Sequence, residues 1–516
     1  MIFNKPFMPP PFILFFSISM IITWIVFQLF GESHALDRPN PRKHHGSTIS
    51  QIGGLVFSPL LLLIGWWLGL APSWYLIGGL FSILLGAADD VRHLPWQFKL
   101  LVQLALVCLV AYIFWDRFTH FSFYGYTLPI TKPVFIVIFT IWFVGIYNSV
   151  NLVDGMDGLA GGVMVLMFLG VSIIGNDIFS FINLLIAVLL LGFLLFNQRP
   201  AKVFMGDAGS LSLGFYMAVL PLLYYDLNWP TSSVLNMTPF VILFSYLIAD
   251  TSRVFFTRLL SRKNPMTADT IHLHHLVIQT SGSYLTTLFM IFFVTLVSTL
   301  FAVLSDSLIF KQTGMLIYLA LLFLFILTPP APTYVHLISR LVGPLYTWNK
   351  ESRETHRAQW PRTIMVASLL FLLMGSIFLH IDYGNMIPWQ ILLSLILLSF
   401  FLYINQKDKM VIPAIQIFFA LFILEFYWSV TPDIFSKLFV VLLLVTLNIF
   451  TVQRIIGTGI NQYSALDLLM LFITLGALGL SVAGIILNPW LFLTVSVIWF
   501  SLGFIFRRTV YLAPHD

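Results

Sequence analysis

The sequence predicts an all-α fold: a polytopic transmembrane helical bundle of about seventeen spans, with its N-terminus outside. Three observations predict it. Of 516 residues, 59% are hydrophobic and only 9% are charged, against about 25% charged in a typical soluble domain. The apolar runs mostly match the ~20 residues that a helix needs to cross a ~30 Å hydrocarbon core, and the short alternating segments of a membrane barrel are not seen. Cations also follow the positive-inside pattern. With the N-terminus outside, 21 of the 26 Lys and Arg fall in inner segments and 5 in outer ones.

In chain order, the run at 9–31 is too long for a signal-peptide core and lacks a following A-x-A site, so it reads as a retained first helix. Runs at 54–70, 74–88, 99–115, 133–147, 158–175, 178–196, 208–225, 236–256, 285–305 and 314–329 follow, each ended by a polar or Gly-rich stretch. Six more lie at 363–380, 388–404, 411–428, 438–453, 466–486 and 489–506. The long inner loop after Pro330 sets these six apart. Residues 1–330 therefore read as one membrane core and residues 331–516 as an additional transmembrane extension of unknown role. Cys108, the only cysteine, excludes an internal disulfide and a thiolate metal site, and reads as a small buried hydrophobe. The basic residues are scattered over loops with no continuous face, which argues against a nucleic-acid partner.

The polar residues collect on the inner side. Its loops carry GAADDVRHLPWQFK (Gly86–Lys99), NSVNLVDGMDG (Asn148–Gly158), VFMGDAGS (Val203–Ser210) and ADTIHLHH (Ala268–His275). Asp89, Asp90, Asp154, Asp157, Asp207 and Asp269 all fall there. Carboxylates crowded near acyl chains are costly and repel one another, so such a cluster needs compensating cations. Oxygen donors without thiolates favour a hard ion, Mg²⁺ or Mn²⁺. Lys99, Arg199, Lys202 and Arg262 are candidate clamps for phosphate oxygens. Each piece has a plainer reading: Asp89–Asp90 as a span end, Asn148-x-x-Asn151 as an interhelical amide pair, GDAGS as a polar turn. His272, His274 and His275 suit phosphate or nucleotide contacts better than zinc.

These motifs resemble the polyprenyl-phosphate N-acetylhexosamine-1-phosphate transferase superfamily, which is glycosyltransferase family 4. Its members start enterobacterial common antigen, O-antigen lipopolysaccharide, wall teichoic acid and cell-wall precursors. The resemblance spans roughly residues 35–275 and is carried by Asp89–Leu100, Asn148–Leu159, Val203–Gly214 and Ala268–His275. The last looks like the hexosamine branch, typified by the undecaprenyl-phosphate N-acetylglucosamine-1-phosphate transferases. The resemblance implies a Mg²⁺-dependent transfer of sugar 1-phosphate from a UDP-N-acetylhexosamine, such as UDP-GlcNAc, to polyprenyl (undecaprenyl) phosphate, with release of UMP. It implies Asp89, Asp90 and Asp207 as catalytic. Lys99, Asn148, Asn151, Asp154, His272, His274 and His275 would bind substrates, and Asp207, Asp154 and Asp157 the metal. It also implies a multi-pass protein of the bacterial inner membrane with a periplasmic N-terminus and a cytoplasmic active site, in contact with membrane lipid. A homodimer is left open.

Two departures stand out. Thr270 follows Asp269 where the hexosamine branch carries arginine, and typical members end near ten or eleven spans. Two other readings compete. A secondary transporter would place its carboxylates near the bilayer midplane and show inverted repeats; here they lie on one face and no repeat is visible. A catalytically inactive scaffold is disfavoured by the intact motifs.

Overall fold

The computed structural model describes residues 12–30, 36–37, 49–67, 69, 71–175, 177–228, 233–262 and 270–306. Two compact units are present: Ile22–Val342, and Met1–Ile21 with Gly343–Asp516. Every site residue discussed below belongs to the first.

Helix α1 (Phe12–Phe30) is followed by α2 (Gly54–Trp67), α3 (Ser73–Arg92), α4 (Trp96–Phe114), α5 (Lys132–Val153) and α6 (Leu159–Val171). Then come α7 (Asp177–Asn197), α8 (Gly206–Asn228), α9 (Thr238–Leu243), α10 (Ser245–Leu260), α11 (Leu273–Ser281) and α12 (Tyr284–Val303). Strands are minor. β1 (Leu36–Asp37) pairs antiparallel with β2 (Ile49–Ser50). A hairpin of β3 (His120–Phe123) and β4 (Tyr126–Pro129) takes β5 (Val234–Asn236) in parallel on its other edge. Its two-residue turn is Tyr124–Gly125, with φ of 55° and 77°, the doubly positive pattern that fits the twist of a tight hairpin.

The chain is an all-α, multi-span membrane protein, but the expected seventeen spans are corrected. Six helices among the described residues are long and apolar enough to cross a membrane: Ser73–Arg92, Trp96–Phe114, Lys132–Val153, Ile178–Asn197, Gly206–Leu227 and Tyr284–Val303. The apolar runs overcount because they ignore where helices stop. α2 and α6 hold 14 and 13 residues, about 21 Å or less of helix, well short of a ~30 Å core. The run at 236–256 breaks at Phe244 into α9 of 6 residues and α10 of 16. The seven runs expected after residue 306 lie outside the described residues. Cys108 is also corrected: it is exposed, on the outward stripe of α4 with Leu101, Leu104 and Tyr112. Residues four apart share a helix face, so its position follows theirs.

α8 is the central helix, and small residues let its neighbours approach it. A Cβ at Gly54 of α2 would lie 2.0 Å from the Gly209 nitrogen, and one at Gly86 of α3 would lie 2.2 Å from the Asp207 carbonyl oxygen. Without a hydrophobic driving force inside lipid, such close backbone packing is a main source of helix association. Tyr75 of α3 stacks on Tyr216 of α8 at 5.1 Å. The segment before α8 is zipped to the segment before α2: Phe204 N donates to Ser50 O at 2.8 Å, and Gly54 N to Met205 O at 2.8 Å. The start of α8 is thereby fixed against the ends of α2 and α3, where the motif residues converge. At the far end of α8, Asp226 accepts from Arg117 at 2.6 Å and from Trp74 Nε1 at 3.1 Å.

Candidate active site

Asp89 and Asp90 occupy the last turn of α3 and are buried. Their carboxylates point to different partners. Asp89 Oδ1 accepts from Leu94 N at 2.6 Å, and Oδ2 from Lys99 Nζ at 2.6 Å. The turn His93–Pro95 thus brings the first turn of α4 back onto α3. Asp90 instead caps α8 from across the bundle: Oδ1 accepts from Asp207 N at 2.7 Å and Oδ2 from Ala208 N at 3.0 Å. The first N–H groups of a helix have no partner within it and carry its positive dipole end, so a carboxylate is the fitting cap. Gly206 makes this possible. Its φ is 69°, and a Cβ there would lie 2.8 Å from Asp90 Oδ2.

Asp207, in the first turn of α8, accepts from Asn151 Nδ2 of α5 at 3.0 Å. Its carboxyl group also lies close enough to that of Asp89 for the two to interact. Two carboxylates in close proximity repel, so a proton or a cation nearby stabilises the pair. Asp154 ends α5. Burial, then the charges of Asp90 and Asp157, push its pKa up to about 7.

The remaining predicted residues divide. Asn148 forms a reciprocal amide pair with Gln103 of α4, at 2.9 and 3.1 Å, the interhelical alternative noted for this motif. The Asp157 carboxylate accepts from Ala201 N at 3.1 Å, and its carbonyl oxygen from the Tyr284 hydroxyl. Gly158 N donates to Asn197 Oδ1 at 2.9 Å. This half of the motif therefore ties the Asp154–Gly158 loop to the loop before α8. Arg199 lies over the Tyr284 ring at 4.7 Å. His272 caps α11, with its ring near-parallel to His274 at 6.0 Å, and His274 lies 4.1 Å from His275. His274 seats against the acidic loop: a Cβ at Gly155 would be 2.4 Å from its Nε2. Asp269 lies outside the described residues.

The structure thus brings together Asp89, Asp90, Lys99, Asn151 and Asp207, with Asp154 within electrostatic reach of Asp90. Among the described residues, no three of His, Cys, Asp or Glu converge in a geometry that could hold a metal ion. The donors nonetheless fit a hard divalent cation. Asp89 and Asp207 bring two neighbouring carboxylates, and Mg²⁺ typically takes only one or two carboxylates, completing its shell with water and substrate phosphates.

Sequence reasoning missed Asp250 and Gln103. Asp250 of α10 is 1% exposed and accepts from Arg253, Leu273 N and His272. A carboxylate inside an apolar run was the available signal. Gln103 carried no comparable one.

The sequence profile of glycosyl transferase family 4 matches residues 73–225, the stretch that carries Asp89, Lys99, Asn151, Asp154 and Asp207. The undecaprenyl-phosphate alpha-N-acetylglucosaminyl 1-phosphate transferase of Thermotoga maritima is 31% identical over 278 residues, 54% of this chain and 84% of that protein. A Bacillus subtilis protein described as "Probable undecaprenyl-phosphate N-acetylglucosaminyl 1-phosphate transferase" is 27% identical over 321 residues, 59% of this chain and 87% of that one. The phospho-N-acetylmuramoyl-pentapeptide-transferase of Lacticaseibacillus paracasei is 34% identical over 218 residues, 38% of this chain and 67% of that protein. The chain belongs to glycosyl transferase family 4.

Proposed function

We propose that this protein transfers N-acetylhexosamine 1-phosphate from a UDP-sugar to a polyprenyl phosphate. An oxygen of the lipid phosphate attacks the β-phosphorus of the donor, the bond from that phosphorus to the bridging oxygen breaks, and UMP leaves. The observation that carries this reading is the convergence of Asp89, Lys99, Asn151 and Asp207 at the junction of α3, α4, α5 and α8. Joining two anions needs charge neutralisation and in-line positioning more than a protein nucleophile.

The roles divide by contact. Asp207, with Asp89 beside it, would hold a divalent cation, Mg²⁺ or Mn²⁺, and the nearby Asp154 would add its charge to that set. When bound, it neutralises the phosphate oxygens that this acidic group would otherwise repel. Asp157, bonded to the Ala201 backbone, shapes the loop. Lys99 offers an ammonium group to phosphate oxygens from beside Asp89. Asn151 orients Asp207. Asp90 fixes the backbone of Asp207 rather than touching substrate. A group carried on helix ends is one that a soluble nucleotide and a membrane-held lipid could both reach. This supports an inner-membrane location with the site on the cytoplasmic face. Residues 1–330 supply the catalytic core, and 331–516 an added module.

The test is UMP release from membranes given undecaprenyl phosphate and candidate UDP-sugars, with and without Mg²⁺. Asp207→Asn should reduce release to background. Near-wild-type turnover in that variant would refute the assignment.

A further inference from the structure

Asp250 has no part in the chemistry proposed above, yet it organises the histidine motif. Its Oδ2 lies 3.0 Å from His272 Nδ1. Its Oδ1 accepts from Leu273 N at 3.0 Å and from Arg253 Nη2 at 2.8 Å. Arg253 also donates to the Ile271 carbonyl oxygen, so one guanidinium braces both the carboxylate and the backbone entering α11. Asp250 and His272 are 1% and 4% exposed.

The two ring nitrogens of a histidine are distinct, and the bond made by one decides what the other can do. A carboxylate facing Nδ1 holds the proton there and leaves a lone pair on Nε2. His272 Nε2 is buried and has no hydrogen-bond partner among the described residues. A buried acceptor of this kind calls for a donor. Its ring lies near-parallel to that of His274, which abuts Gly155 beside Asp154. The Asp250–His272 pair is therefore one ring removed from the acidic loop.

We infer that Asp250 is a positioning residue for the transfer reaction: it fixes the tautomer and rotation of His272 so that Nε2 accepts a hydrogen bond from an O–H or N–H group of the UDP-sugar. The inference rests on the proposed function and assigns that site a residue outside its motifs.

The experiment is a double-mutant cycle in the full-length chain, reading UMP release per folded protein as kcat and KM for the UDP-sugar. Asp250→Asn keeps the size and one acceptor, but turns an amide N–H₂ toward Nδ1 and drives the proton to Nε2. Release should fall on the order of 10- to 100-fold, as when orienting partners of functional histidines are removed. In the His272→Gln background the same change should have no further effect. If Asp250→Asn does not fold, Asp250→Glu replaces it. That variant keeps the acceptor but displaces it by one methylene, and its smaller loss should likewise vanish with His272→Gln. Unchanged kinetics in the variant, or losses that multiply across the cycle, overturn the inference while leaving the transferase reading intact. A wild type that releases no UMP from any UDP-sugar overturns both.

Discussion

Replacing Asp90 by Ala tests the claim that it holds α8 in place rather than acting on substrate. The structure gives its carboxylate two charge-assisted bonds, from Asp207 N at 2.7 Å and Ala208 N at 3.0 Å, and Asp90 is 8% exposed. A hydrogen bond to a charged group contributes about 1.5–3 kcal/mol net, so the pair contributes about 3–6 kcal/mol. Alanine also leaves two N–H groups unpaired in a buried place. That is a large share of the ~5–15 kcal/mol by which a typical protein is stable. At roughly 2–4 °C per kcal/mol for a unit of this size, the purified full-length chain should melt about 10 °C lower. Asp90→Asn, which keeps one acceptor, should show about half that loss. Intrinsic tryptophan fluorescence against temperature, in detergent, reads both. If Asp90→Ala melts with the wild type but is inactive, the carboxylate belongs to the chemistry and the capping argument is wrong.

Two further outcomes are expected. The pKa of Asp154, pushed up to about 7, lies above that of an unfolded aspartate, ~3.9. The folded state therefore holds the proton more tightly, and its contribution to stability is lost as pH rises from about 4 through 7. Metal-free protein should melt lower at pH 8 than at pH 5.5, and Mg²⁺ should raise the melting temperature more at pH 8, where the carboxylate is ionised; equal Mg²⁺ shifts at both values would remove Asp154 from the metal set. Gly155→Ala places a Cβ 2.4 Å from His274 Nε2. Because His274 is buried, the histidine motif must shift, and turnover should fall on the order of 10-fold or more, measurable as UMP release.

Much of the candidate site was legible because its polar residue types stand out in an apolar chain. Asp89, Lys99, Asn151 and Asp207 are polar groups with little reason to interrupt apolar runs, and they do meet. What each partner is was less legible. Asp90 bonds to backbone N–H groups, which every residue but proline possesses, so no pattern could have named Asp207 and Ala208 as its donors. Asn148 and Asn151 look alike in sequence. Only helix rotation sends one to Gln103 and the other to Asp207. The span count failed for a related reason. Hydropathy measures how long a run stays apolar, whereas α2 ends at Trp67 and the 236–256 run breaks at Phe244, within stretches that remain apolar. Asp250 lies inside that broken run, where a carboxylate is itself an anomaly, but its partners His272 and Leu273 lie more than twenty residues away in sequence.

The contact of α3 with α8 at Gly86 is backbone on backbone, with no space for even a methyl group between the two helices. Side chains rather than backbones touch between the histidine-bearing α11 segment and the loop after α5, where His274 meets Gly155. Asp89, Asp90 and Asp207 therefore sit on the most tightly apposed backbones of the site, and the histidines on the less tightly apposed ones.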